Sequence, residues 1–181
     1  MRSFENKNIE TLYSAEDLQN KAKELGAQIA KDYGDRTEEL TVIGVLKGSF
    51  IFLADLVRAI DLPLNIDFIG VSSYGDGTES SGKITITHPL SKPITGKDII
   101  VVEDIVDTGL TMKALLELFE ESKPASVKVC TLLEKPERRQ VTVQMDYVGF
   151  SIPDKFVLGY GLDLAGRFRN LPFVGVNQGD A

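Results

Sequence analysis

IIVVEDIVDTGLT, residues 99–111, decides how the rest of the chain is read. Ile99, Ile100, Val101 and Val102 form an unbroken branched apolar run, which predicts a strand buried on both faces. Glu103 and Asp104 follow at once, then Asp107, Thr108, Gly109 and Thr111 in a short polar turn. Met112, Leu115, Leu116 and Phe119 recur at helical spacing after that turn. Open parallel α/β sheets bind ligands beyond the carboxyl ends of their strands. A glycine turn that opens a helix offers backbone N–H groups and hydroxyls suited to a phosphate. Two carboxylates would repel that phosphate, but they accept hydrogen bonds from sugar hydroxyls or help to place a metal ion. The stretch therefore predicts a site for a phosphorylated sugar. The competing reading of the bare pattern is a strand-to-helix turn whose acids cap helices or pair with lysines.

Outward from this stretch, strand and helix patterns alternate. Ser14, with Glu16 and Asp17 behind it, predicts a capped helix. Its apolar face is Leu18, Ala22, Leu25 and Ile29, and Gly34 is its stop. Residues 40–46, LTVIGVL, predict a buried strand, and Phe50, Leu53, Leu56, Val57 and Ile60 predict the helix after it. Lys47 and Gly48 lie between them, on the same sheet edge as Glu103 and Asp104. Residues 64–71 predict a further strand, with Ile66 and Phe68 on one face. Residues 72–83, SSYGDGTESSGK, hold one large apolar side chain, Tyr74, and are expected to be mobile. His88 reads as a surface residue. Residues 127–133, 146–150 and 171–176 predict the remaining strands, and residues 136–140 a polar turn. This alternation predicts an α/β fold with a mainly parallel, doubly wound sheet, in a single domain over residues 1–181.

Composition narrows the function. Twenty basic against 27 acidic residues give a net charge of -7, which argues against nucleic acid as the main partner. The single Cys130 lies in the apolar run VKVCTLL and reads as a core residue of a reducing compartment. One His and one Cys leave no His/Cys zinc constellation. No signal peptide pattern and no membrane-spanning apolar run are visible, so a cytoplasmic protein without a membrane partner is expected.

VVEDIVDTGLT resembles the phosphoribosyl-diphosphate loop of the hypoxanthine-guanine phosphoribosyltransferases. The resemblance continues in family order through LKGS at residues 46–49, the Ser73-Tyr74 pair, Lys135, and KFVLGYGLD with the later Arg169. It implies the type I phosphoribosyltransferase fold, with a small hood over the active site. It implies transfer of the phosphoribosyl group from phosphoribosyl diphosphate to N9 of hypoxanthine or guanine, giving IMP or GMP and pyrophosphate. By this resemblance Asp107, Thr108, Gly109, Leu110 and Thr111 cradle the 5′-phosphate, and Glu103 and Asp104 bind the ribose hydroxyls. Asp107 lies near N7 of the purine as general base or acid. Lys47, Gly48 and Arg169 face the pyrophosphate, with the Leu46–Lys47 peptide in the cis form. Ser73 and Tyr74 belong to a lid. Phe156 stacks on the base, Val157 reads its edge through main-chain groups, and Lys135 donates to O6. Adenine carries an amino donor there, so a 6-oxopurine is the expected base. Mg²⁺ is the expected metal, contacted by Asp163, with Glu103 and Asp104 nearby, and a homo-oligomer, dimer or tetramer, is the expected assembly. The rivals are a xanthine-preferring enzyme, a nucleotide- and RNA-binding regulator of the same fold, and an α/β binding protein without catalysis.

Overall fold

The computed structural model describes residues 9–34, 39–73 and 84–178. Its elements in chain order are β1 (Ile9–Tyr13), α1 (Ala15–Tyr33), β2 (Leu40–Leu46), α2 (Phe50–Ala59), β3 (Leu64–Ser73) and β4 (Ile84–His88). β5 (Asp98–Val106), α3 (Leu110–Glu121), β6 (Ser126–Glu134), β7 (Tyr147–Ser151), β8 (Val157–Leu158) and β9 (Val174–Asn177) follow. The main sheet has the order β4-β3-β2-β5-β6-β7. It is parallel from β3 to β7, and β4 runs antiparallel at one edge. β5, the strand of the decisive stretch, lies inside the sheet between β2 and β6.

Both faces of that sheet are covered, as its near-continuous apolar strands require. On one face, Leu18, Leu25 and Ile29 of α1 and Phe52, Leu53 and Leu56 of α2 pack with Ile100 and Val102 of β5. On the other, Met112, Leu115 and Phe119 of α3 pack with Ile99 and Val101. Cys130 is fully buried in the first of these cores, where burial pushes its thiol pKa up. None of the described helices is long and apolar enough to cross a membrane.

Three local expectations need correction. α2 buries Phe52, whereas Phe50 stays 42% exposed. Phe52, Leu53, Leu56 and Ile60 form the buried stripe, which leaves Phe50 at its margin, and the Ser49 hydroxyl before the helix donates back to the Val45 carbonyl at 2.7 Å. The last strand begins at Val174 rather than at Leu171, since Pro172 has no N–H to give a ladder, whereas Gly34 ends α1 as expected. β5 does not stop before the acids: it runs on to Val106, so Glu103 and Asp104 are strand residues. A second, antiparallel sheet, β1-β9-β8, joins residues from both ends of the described chain. Val157, Val174 and Val176 of this small sheet belong to the first core.

Candidate active site

Ile100 and Val102 of β5 pack with α1 and α2, and Ile99 and Val101 pack with α3; beyond the acidic pair Ile105 joins the first core and Val106 the second, while the register against β6 runs on unbroken. The Asp104 carboxylate accepts the Ile105 N–H at 2.8 Å. Glu103 lines a cavity of about 100 Å³ together with Asp107, Thr108, Gly109, Thr111 and Met112. Asp104 instead abuts the loop after β2: a Cβ added to Gly48 would lie 1.5 Å from its Oδ2. Only a residue without a side chain permits that approach. The same holds for Gly161, where a Cβ would meet the Gly48 carbonyl oxygen at 1.9 Å. The Leu46–Lys47 peptide is cis. Three segments distant in sequence, the Lys47-Gly48 turn, the acidic pair and the loop after β8, thus meet at the carboxyl edge of the sheet.

Burial pushes the proton affinity of Glu103 well above the ordinary carboxylate range, and the neighbouring Asp104 charge adds to the effect. Burial raises Asp104 as well. The Arg169 charge acts on Asp104 in the opposite direction but does not outweigh burial.

The turn after β5 is shaped by its own backbone. Gly109 caps α3 at φ +85°, and no side chain caps the helix. The Thr108 carbonyl accepts the Gln140 N–H at 2.9 Å, which ties the turn to the segment after β6. Leu110 N–H has only a long contact, 3.4 Å, to the Thr108 hydroxyl. Without acids in its first turn, α3 presents an uncapped, positive N-terminus to the cavity.

The carboxylate of Asp107 is turned towards Arg138, whose Nε donates to it at 3.1 Å. Arg138 Nη1 also donates to Asp154 at 3.3 Å, and Lys135 Nζ donates to the other oxygen of Asp154 at 3.1 Å. Lys135 is buried, whereas Phe156 is 51% exposed and Val157 is buried beside it. Arg169 donates to the Gly161 carbonyl at 2.7 Å and pairs with Asp163 at 2.6 Å. Asp163 also accepts the Gly166 N–H at 2.7 Å. Lys47 is exposed. Tyr74 and the side chain of Ser73 lie outside the described residues.

The structure thus gathers Glu103, Asp104, Lys47, Gly48 and Arg169 around one edge, and joins Asp107 to Lys135 through Arg138 and Asp154. It does not gather Glu103, Asp104 and Asp163 into one metal cage. Among the described residues no three His, Cys, Asp or Glu side chains are placed to hold an ion. Arg138 and Asp154 escaped the sequence reading, which saw polar turns there. The usable signal was charge density: KPERR, residues 135–139, and PDK, residues 153–155, both follow strand positions at the same sheet edge. A further half-buried pair joins Arg139 to Glu134 at 3.4 Å, and the Arg139 stem lies beneath Gly109.

A model of the phosphoribosyl transferase domain matches residues 8–164. A hypoxanthine-guanine phosphoribosyltransferase of Bacillus subtilis is 50% identical over 165 residues, which is 91% of each chain. A solved hypoxanthine phosphoribosyltransferase of Staphylococcus aureus superposes with a TM-score of 0.93 at 46% identity, covering 98% of this chain and 96% of that one. A hypoxanthine-guanine phosphoribosyltransferase structure from Bacillus anthracis gives 0.88 at 52% identity, covering 93% and 98%. The chain belongs to the phosphoribosyl transferase domain family.

Proposed function

We propose that this phosphoribosyltransferase serves purine salvage, moving the 5-phosphoribosyl group from phosphoribosyl diphosphate to N9 of hypoxanthine or guanine. IMP or GMP and pyrophosphate are the products. The reading is supported by the relatives' names at about half identity over most of the chain. The observation that carries it is the meeting of an uncapped helix N-terminus, a half-buried acid pair and the Lys47-Gly48 turn at one sheet edge.

The chemistry sorts these groups. The amides of residues 107–111 and the hydroxyls of Thr108 and Thr111 anchor the 5′-phosphate. Glu103 and Asp104 hold the ribose hydroxyls, and their charge favours the cationic, oxocarbenium-like sugar of the transition state. Lys47, the Gly48 amide and Arg169 receive the leaving pyrophosphate. The C1′–oxygen bond breaks as the C1′–N9 bond forms, and Asp107 exchanges a proton at N7 of the base. Phe156 stacks on the purine, Val157 main-chain groups read its edge, and Lys135 donates to O6. Ser73 and Tyr74 close over the site.

Mg²⁺ fits this donor set. The ion takes few protein carboxylates and completes its shell with substrate phosphates and water, so a site without a three-acid cage suits it. Asp163, Glu103 and Asp104 are the carboxylates available to it, and bound Mg²⁺ supplies neutralisation of the diphosphate. The same reading makes the protein a cytoplasmic homo-oligomer, dimer or tetramer, with all of residues 1–181 in one domain and neither nucleic acid nor membrane as partner.

The test is a spectrophotometric assay with phosphoribosyl diphosphate and Mg²⁺ in which hypoxanthine, guanine, xanthine, adenine and uracil are offered in parallel. Turnover confined to hypoxanthine and guanine is the expected result. A clear lead for xanthine would overturn the base assignment, and no turnover of any base would overturn the enzymatic one.

A further inference from the structure

The chain of contacts Asp107–Arg138–Asp154–Lys135 spans the two ends of the site, from the phosphate turn to the base pocket. Arg138 is its centre and has no role in the reaction described above. We propose that Arg138 is a positioning residue for proton transfer: it holds the Asp107 carboxylate turned out of the phosphate cradle, and Asp154 fixes Arg138 in that place. This rests on the proposed role of Asp107.

Three observations support it. Asp107 follows β5 directly and lines the same cavity as Glu103, so an unrestrained carboxylate would sit against an incoming phosphate dianion. Arg138 draws it away, through Nε rather than through the end of the fork, which leaves Nη1 for Asp154. The turn that carries Arg138 is itself held: Pro136 starts a 3-10 turn, Arg138 N–H donates to the Lys135 carbonyl at 3.1 Å, and Lys135 N–H donates to the Val106 carbonyl at 3.1 Å. The guanidinium is thereby fixed relative to the end of β5.

The charged groups around Asp107 are Arg138 from the 3-10 turn, Glu103 from β5, and Lys135 and Asp154 one contact further on. Lys135 is neutralised by Asp154, so Arg138 is the cation that Asp107 touches. The contact is half exposed on both sides, 45% and 39%, which bounds the size of its effect and makes it sensitive to salt.

The experiment is steady-state kinetics, with hypoxanthine and phosphoribosyl diphosphate varied in turn, of wild type, Arg138→Gln and Arg138→Lys, each repeated on an Asp107→Asn background. Without the guanidinium the Asp107 carboxylate is free to turn back towards the cradle, so Arg138→Gln should lower kcat several-fold and raise KM for phosphoribosyl diphosphate, with KM for hypoxanthine little changed. Arg138→Lys should recover most of that loss. On the Asp107→Asn background the Arg138 substitutions should change nothing further. Equal kcat and KM for wild type and Arg138→Gln, with Asp107→Asn strongly impaired, would overturn the inference alone. An equal loss on the Asp107→Asn background would make the effect of Arg138 independent of Asp107 and overturn it too. Unimpaired kinetics of Asp107→Asn itself would instead sink the role of Asp107 on which the inference stands.

Discussion

α1 opens with Ser14, whose hydroxyl oxygen accepts the Asp17 N–H at 3.2 Å while the Asp17 carboxylate accepts the Ser14 N–H at 2.9 Å. α3 opens with Gly109, which has no side chain to offer, and no acid follows in its first turn. Both helices face the same electrostatic problem, a set of unsatisfied N–H groups and a positive end. α1 solves it within the chain, with a capping box and two acids. α3 leaves it unsolved beside a cavity, and the nearest acid, Asp107, is turned away to Arg138. Apart from the long contact of Leu110 N–H to the Thr108 hydroxyl, the described residues leave this helix start open, and each substitution below tests whether that contrast is functional.

The largest effect belongs to Asp107. Asp107→Asn should lower kcat by on the order of 100-fold or more, the usual range for a lost acid–base group, with a smaller change in KM for phosphoribosyl diphosphate. Its thermal midpoint should stay near that of wild type, since Asp107 caps nothing. Asp17→Asn should do the reverse, leaving kcat untouched and lowering the thermal midpoint. Matching behaviour of the two variants in rate and melting would erase the distinction between the helix starts.

Gly109→Ala comes next. Its φ of +85° lies where a side chain costs about 1–2 kcal/mol, and the added Cβ would press on the Arg139 stem at 3.1 Å and the Val141 carbonyl oxygen at 3.2 Å. KM for phosphoribosyl diphosphate should rise several-fold while KM for the base changes little, which steady-state kinetics with each substrate varied in turn would separate. An unchanged KM would mean that the turn adapts, and that its backbone geometry does not set phosphate affinity.

The contrast between the two helix starts was half legible in the sequence. Ser14 and Asp17 stand three residues apart, and short-range chemistry of that kind can be read from spacing. The helix after Gly109, its buried face and β2 at residues 40–46 were legible for the same reason, since periodicity is a local property. The close approach of Asp104 to Gly48 was not, because it depends on how the end of β5 meets the turn after β2. Nor was the strand character of Glu103 and Asp104, since acids after an apolar run look like its end. The pairing of β1 with β9 joins residues 160 and more positions apart. No local pattern in IETLY announces that partner. The Arg138–Asp154 contact is hidden in the same way: two polar turns become one ion pair only when the sheet edge brings them together. Chemistry carried by one segment could be read directly, and chemistry made where segments meet could not.

Ser14→Ala should cost about 1 kcal/mol of stability, read from chemical denaturation, and leave kcat/KM unchanged. The finest discriminator is pH, because the acids at the two starts titrate with opposite signs. The Ser14 hydroxyl and backbone amide hold Asp17 below the ordinary carboxylate range. Its stabilisation is therefore present above the unfolded-state pKa and is lost as pH falls through the folded one. Glu103 is displaced the other way by burial and by Asp104. The folded state keeps a proton that the unfolded chain has already lost, so stability falls as pH rises from the unfolded pKa towards the folded one. Glu103→Gln removes that term. Thermal midpoints should fall less steeply in Glu103→Gln than in wild type as pH rises above the unfolded carboxylate pKa, and a parallel fall in the two would show that burial does not raise this acid. Ser14→Ala should alter only the acidic side. If both slopes follow these signs, the end of the molecule that caps itself is stabilised by its own charges. The end that faces the cavity carries charge at the expense of stability, as expected where a bound ligand and its counter-ions complete the electrostatics.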